Sequence, residues 1–96
     1  MNTRAKIKSK CKKLEELLLQ KNAKYGDAAL EPLNVFFKGN SVSSIKARID
    51  DKLKRLMNSG PIDATEDTLQ DLAGYMILLM IALDNESNNI QERIRQ

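Results

Sequence analysis

Apolar residues recur at helical spacing through most of this 96-residue chain, in three long stripes. The first takes in Ile7, Cys11, Leu14, Leu17 and Leu18, prolonged by the stem of Lys21, and predicts a helix over residues 3–23. Gly26 supplies its left-handed stop. The second stripe, Ile45, Ile49, Leu53 and Leu56, predicts a helix over residues 44–58. Gly39-Asn40-Ser41 reads as the turn before it, with Ser41 or Ser43 as cap, and Ser59-Gly60-Pro61 ends it. In the third, Leu69, Leu72, Ala73, Met76, Leu79, Met80 and Leu83 face one way, over residues 65–85. Asp63 to Glu66 resembles a capping box for this helix, with Thr65 as the rival cap.

Two segments are less regular. Residues 28–38 suit a short helix with Pro32 in its first turn and Leu33, Phe36 and Phe37 as anchors. The tail from Asn88 onward either prolongs the third helix or forms a short one. The pattern therefore predicts an all-α fold, a small bundle of three to four main helices in a single domain over residues 1–96. Ile77, Leu78 and Ile81 broaden the third stripe almost all round. Such a helix is either central in a bundle or buried at a subunit interface; in so small a protein the interface is favoured, so a homo-oligomer is expected, a dimer being the simplest case.

Composition narrows the chemistry. Hydrophobic residues make up 42% of the chain and aromatics only 4%, which favours helix-on-helix packing over a β-sandwich. With no histidine and a single cysteine, Cys11, a histidine-based triad and an intrachain disulfide are excluded, and a zinc site has little to build on. The lone thiol fits a cytoplasmic location. Residues 1–13 lack the apolar core of a signal peptide, and the apolar stretch from Leu72 to Leu83 is shorter than a membrane span. The net charge of +3 is weighted to the start, where Arg4, Lys6, Lys8, Lys10, Lys12 and Lys13 precede the first acid, Glu15. That cluster is either a solvated helix face or a surface for nucleic acid or an acidic partner.

Three short segments carry candidate chemistry. In N-A-K-Y-G-D, Asn22, Lys24, Tyr25 and Asp27 follow a helix end, where Tyr25 can stack on a base and donate a hydrogen bond. In S-I-K-A-R-I-D-D-K-L-K-R-L, Arg48, Lys52 and Arg55 share one face with Asp51. Such a stripe suits a phosphate-bearing ligand, and equally a solvated ladder of ion pairs. In T-E-D-T-L-Q-D-L-A-G-Y, Asp67, Asp71 and Tyr75 stack four residues apart. Two carboxylates one turn apart can share Mg²⁺, although acids in a first turn also complement the helix dipole. Asp71 lies deeper, beside an apolar run, and is expected to meet Arg48, Lys52, Arg55 or a metal. Gly74 costs roughly 1 kcal/mol against Ala inside a helix, so another backbone or a ligand should approach it closely.

Taken in order, K-N-A-K-Y-G-D, R-I-D-D-K-L-K-R-L and E-D-T-L-Q-D-L-A-G-Y resemble the nucleotide modification associated domain (type 1), over residues 20–83. This is a small all-α family frequent in bacteriophages and prophages. The resemblance implies a link to phage nucleotide or DNA-base modification. It also marks Asn22, Tyr25, Gly26, Asp27, Arg48, Asp51, Lys52, Arg55, Asp67, Asp71 and Tyr75 as the functional set. D-L-A-G-Y-M-I-L-L is more faintly similar to the acidic third helix of MazG-type all-α nucleoside triphosphate pyrophosphatases. Those enzymes bind Mg²⁺ with E-x-x-E and E-x-x-D pairs. Here stand Glu15-Glu16, Asp50-Asp51 and Asp67-x-x-x-Asp71 instead, a departure that makes a binding-only descendant plausible.

Three functions follow as expectations. The first is a phage-type protein that binds a nucleotide, or a nucleotide-derived signal, for base modification or for sequestering a host immune messenger as an anti-defence device. The second is a Mg²⁺-dependent nucleotide pyrophosphohydrolase. The third is an adaptor whose basic first helix binds nucleic acid or a protein.

Overall fold

Asn2 starts the first helix: its side-chain oxygen accepts the Ala5 N–H at 2.9 Å, and its carbonyl accepts the Lys6 N–H at 3.1 Å. In the computed structural model, residues 2–30, 39–59 and 66–95 are described, and these form three helices with no strand among them. Helix α1 is Thr3–Tyr25, α2 is Ser41–Ser59 and α3 is Glu66–Arg95. The short helix expected over residues 28–38 and the capping box at Asp63 to Glu66 lie mostly or wholly outside the described residues.

The ends of the helices differ from expectation in ways that local chemistry explains. Helix α2 begins at Ser41 because Asn40 is its cap, its side-chain oxygen accepting the Ser43 N–H at 2.8 Å. An Asn in that position outcompetes the serines that follow it. Helix α3 runs on through the tail for 30 residues. Its length of about 45 Å accounts for most of the molecule's 53 Å long axis. Helix α1 stops where expected: Gly26 takes φ 63°, and its N–H donates to the Asn22 carbonyl at 2.7 Å.

The core lies between α2 and α3. Val42, Ile45, Ile49 and Ala82 are buried, with Leu30, Leu72, Tyr75, Leu78 and Leu79 packed around them. Fully burying a side chain such as Ile45, 1% exposed, stabilises the fold by roughly 1.5–3 kcal/mol. Helix α1 contributes no buried residue. Its predicted stripe meets the rest of the molecule only toward its C-terminal end. Leu14, Leu17 and Leu18 are half-buried, whereas Ile7 and Cys11 are exposed.

The predicted face of α3 is also corrected. Leu69, Met76, Met80 and Leu83 were expected to look inward, and all four are exposed. The inward side keeps Leu72 and Leu79 of the predicted set and adds Asp71, Gly74, Tyr75, Leu78 and Ala82. The reason is steric. Gly74 and Ala82 let the neighbouring helices come close, and a Cβ on Gly74 would stand only 3.0 Å from Leu18 Cδ2 of α1. The approach expected at Gly74 is thus by a side chain, not a backbone or a ligand.

Candidate functional site

Where α1 ends, its last turns pass the middle of α3. Leu18 meets Gly74, and Lys21 meets Asp71 one turn further along α1. Residue numbers rise on α1 as they fall on α3, so the two helices run antiparallel here. Between them opens a cleft of about 460 Å³, within the range usual for small-molecule sites. Leu17, Leu18, Leu30 and Leu78 supply apolar walls. Lys21, Asn22, Tyr25, Asp27, Arg48, Gln70, Asp71 and Tyr75 supply the polar lining. All three segments with candidate chemistry therefore contribute to one hollow.

Asp71 is the point where the three helices join. Lys21 of α1 reaches its Oδ1 at 3.1 Å, and Lys52 of α2 reaches its Oδ2 at 3.2 Å. Burial pushes the carboxyl upward, but the two ammonium groups outweigh it and hold Asp71 below its ordinary value of 3.8. Lys52 was an expected partner. Lys21 was read only as the stem of an apolar stripe, and its charge was missed. Its offset of 50 residues from Asp71 has no local sequence signal.

The Tyr-Gly-Asp turn is held by its own polar groups. Asn22 Nδ2 donates to the Gly26 carbonyl at 3.1 Å and to Asp27 Oδ1 at 3.0 Å. The Leu30 N–H donates to the Asp27 carbonyl at 2.9 Å. Asn22 and Asp27 line the cleft and also fix the chain's path around it. Tyr25 is left 62% exposed at the cleft's edge. Lys24 does not line the cleft; its ammonium lies 5.2 Å from the centre of the Tyr25 ring.

The basic stripe of α2 divides. Arg48 lines the cleft, its guanidinium carbon 6.0 Å from the centre of the Tyr75 ring. Among the described residues no carboxylate pairs with it. Lys52 turns inward to Asp71. Arg55 and Asp51 bind each other at 3.3 Å, both well exposed, and do not line the cleft. Their expected place beside a ligand gives way to a surface ion pair, one turn apart on α2 and in water.

A Mg²⁺ site on Asp67 and Asp71 has little to build on. The side chain of Asp67 lies outside the described residues, and each oxygen of Asp71 already faces a lysine. Among the described residues no three Asp, Glu or Cys side chains gather in a group able to hold a metal. The basic start of α1 forms no single patch either. At about 100° per residue, Arg4, Lys8 and Lys12 fall on one side and Lys6, Lys10 and Lys13 on the other. Among the described residues no helix is long and apolar enough to cross a membrane.

Comparison with protein-family models, with curated proteins and with solved structures finds no match to this chain.

Proposed function

We propose that the protein binds a small nucleotide, or a nucleotide-derived signal, in the cleft between α1 and α3. One observation carries this reading. Arg48, Tyr75 and the exposed ring of Tyr25 come from three different helices and line a single hollow of about 460 Å³. A guanidinium offers a planar fork to phosphate oxygens, and an exposed phenol ring offers a face to a base. The leucines give the hollow an apolar lining, and Gln70 and Lys21 add polar groups to it. The resemblance of the three segments to the nucleotide modification associated domain supports the same reading. On it, the protein serves a phage in the bacterial cytoplasm, holding a nucleotide for modification or withholding an immune messenger.

Pyrophosphohydrolysis has less support, since it needs metal-bound carboxylates and Asp71 is engaged by two lysines. Binding to nucleic acid through α1 is also less supported, because the cations of α1 fall on opposite sides of the helix. Calorimetry with mononucleotides and cyclic nucleotides, followed by mass spectrometry of the recovered ligand, tests the proposal. Saturable heat with the ligand recovered intact is expected. Absence of heat across the panel defeats the binding reading, and release of pyrophosphate replaces it with the enzymatic one.

A further inference from the structure

On the side of α3 away from the cleft, Leu69, Met76, Leu83 and Ile90 follow one another at intervals of seven residues. They are 49%, 43%, 46% and 51% exposed, and Met80 beside them is 65% exposed. Met76 lies two positions beyond Gly74, about 200° round the helix, so the stripe points away from α1. An apolar position recurring every seven residues is one half of the pattern by which a second helix packs lengthwise, and Met80, four beyond Met76, supplies the intervening contact. No charged residue interrupts α3 between Asp71 and Asp84.

We infer that this stripe pairs with the same stripe of a second copy, the two α3 helices running antiparallel about a two-fold axis. The spacing is symmetric about the point between Leu79 and Met80. A two-fold there sets Leu69 against the partner copy's Ile90 and Met76 against its Leu83, so every apolar position meets another. The five side chains, each between 43% and 65% exposed, form one apolar surface on each copy. Covering it and its flanking positions on both copies should hide on the order of 1,000 Å², where specific interfaces begin. Among the described residues the buried apolar side chains are Val42, Ile45, Ile49 and Ala82, and the stripe lies apart from them, so pairing adds new buried surface. The cleft lies on the opposite side of α3, so each copy keeps a whole site and the two clefts open outward. The inference goes beyond the ligand reading and stands or falls separately from it.

Light scattering on the purified full chain at tens of micromolar is the first test. A dimer, or an even multiple of it, is expected, and Met76→Lys should reduce the mass to that of a monomer while circular dichroism stays helical. A monomeric or trimeric wild type overturns the inference, including the case in which residues 31–38 cover the stripe. Disulfide mapping in a Cys11→Ser background is the second test and does not depend on the lysine variant folding. The double variant Met76→Cys, Leu83→Cys should cross-link between copies under mild oxidation, and Met76→Cys alone should not. Cross-linking of Met76→Cys alone means parallel helices and overturns the proposed register.

Discussion

The two sides of α3 use different residues for different ends. The inner side sets small groups and one charge among half-buried Leu72, Tyr75, Leu78 and Leu79: Gly74 admits Leu18, Ala82 is 1% exposed in the core, and Asp71 takes a lysine from each neighbouring helix. The outer side carries Leu69, Met76, Met80 and Leu83, equally apolar, and they remain exposed. Bulk hydrophobicity therefore does not decide which side packs within the chain. Close approach does, because dispersion and burial both depend on near contact. The inner side positions the cleft, and the outer side is the surface the proposed pairing would use.

Four expected outcomes sharpen this contrast, the largest first. Ile45→Ala removes most of a side chain that is 1% exposed and should cost about 2–5 kcal/mol in denaturant unfolding. The matching outer change, Met80→Ala, should cost less than about 0.5 kcal/mol in a monomeric background. If the two losses are equal, the assignment of sides is wrong.

Next comes Gly74→Val. Its branched side chain would drive into Leu18, whose Cδ2 already stands 3.0 Å from the position of a Cβ. A loss of about 1–3 kcal/mol is expected from overpacking, together with loss of ligand binding as α1 is pushed off α3. Gly74→Ala is the milder probe. Its gain of about 1 kcal/mol in helix propensity is offset by the displaced Leu18 methyl, so stability should barely move while the cleft narrows.

Asp71→Asn should cost about 1 kcal/mol at pH 7, the upper end for partly exposed ion pairs. The carboxyl sits below its ordinary 3.8 in the folded chain because Lys21 and Lys52 outweigh the effect of burial. Its contribution is thus complete above 3.8 and is lost as pH falls through the lowered folded value. The stability gap between wild type and Asp71→Asn should stay level from pH 7 to the edge of that window and shrink below it. A gap that shrinks between pH 7 and pH 5 would place the titrating group elsewhere.

The smallest stability effects separate the two arms of the α2 stripe. Arg48→Ala and Arg55→Ala should each leave melting within a few degrees of wild type, since both side chains are exposed. Arg48→Ala should nevertheless weaken nucleotide binding roughly tenfold or more, as a charge-assisted contact predicts, while Arg55→Ala should leave it unchanged. Equal loss from both variants would mean that the ligand lies along the stripe and not in the cleft.

Much of the fold was legible from periodicity. The three helices, the glycine stop at Gly26 and the inward Ile45 and Ile49 all follow from spacing and local chemistry. The facing of α3 was legible only in part: Leu72 and Leu79 pack inward as expected, but a helix apolar nearly all round has no single preferred side until its small residues meet a neighbour. Within the cleft, Tyr25, Arg48, Asp71 and Tyr75 were readable as chemistry-bearing residues at exposed or half-apolar positions. Lys21 was not, since its role depends on a residue 50 positions away. The separation of Lys52 from Arg55 was hidden for a related reason. Both fit one helical face on paper, and only the seat of α3 shows which of them points inward.

Amide chemical-shift mapping during titration with a nucleotide or cyclic nucleotide tests the central claim most directly. The account predicts saturable shifts grouped at residues 22–27, at Arg48 and at residues 70–75, with residues 3–13 unmoved. Shifts confined to the basic start of α1, or none at ligand concentrations that saturate ordinary nucleotide sites, would contradict it.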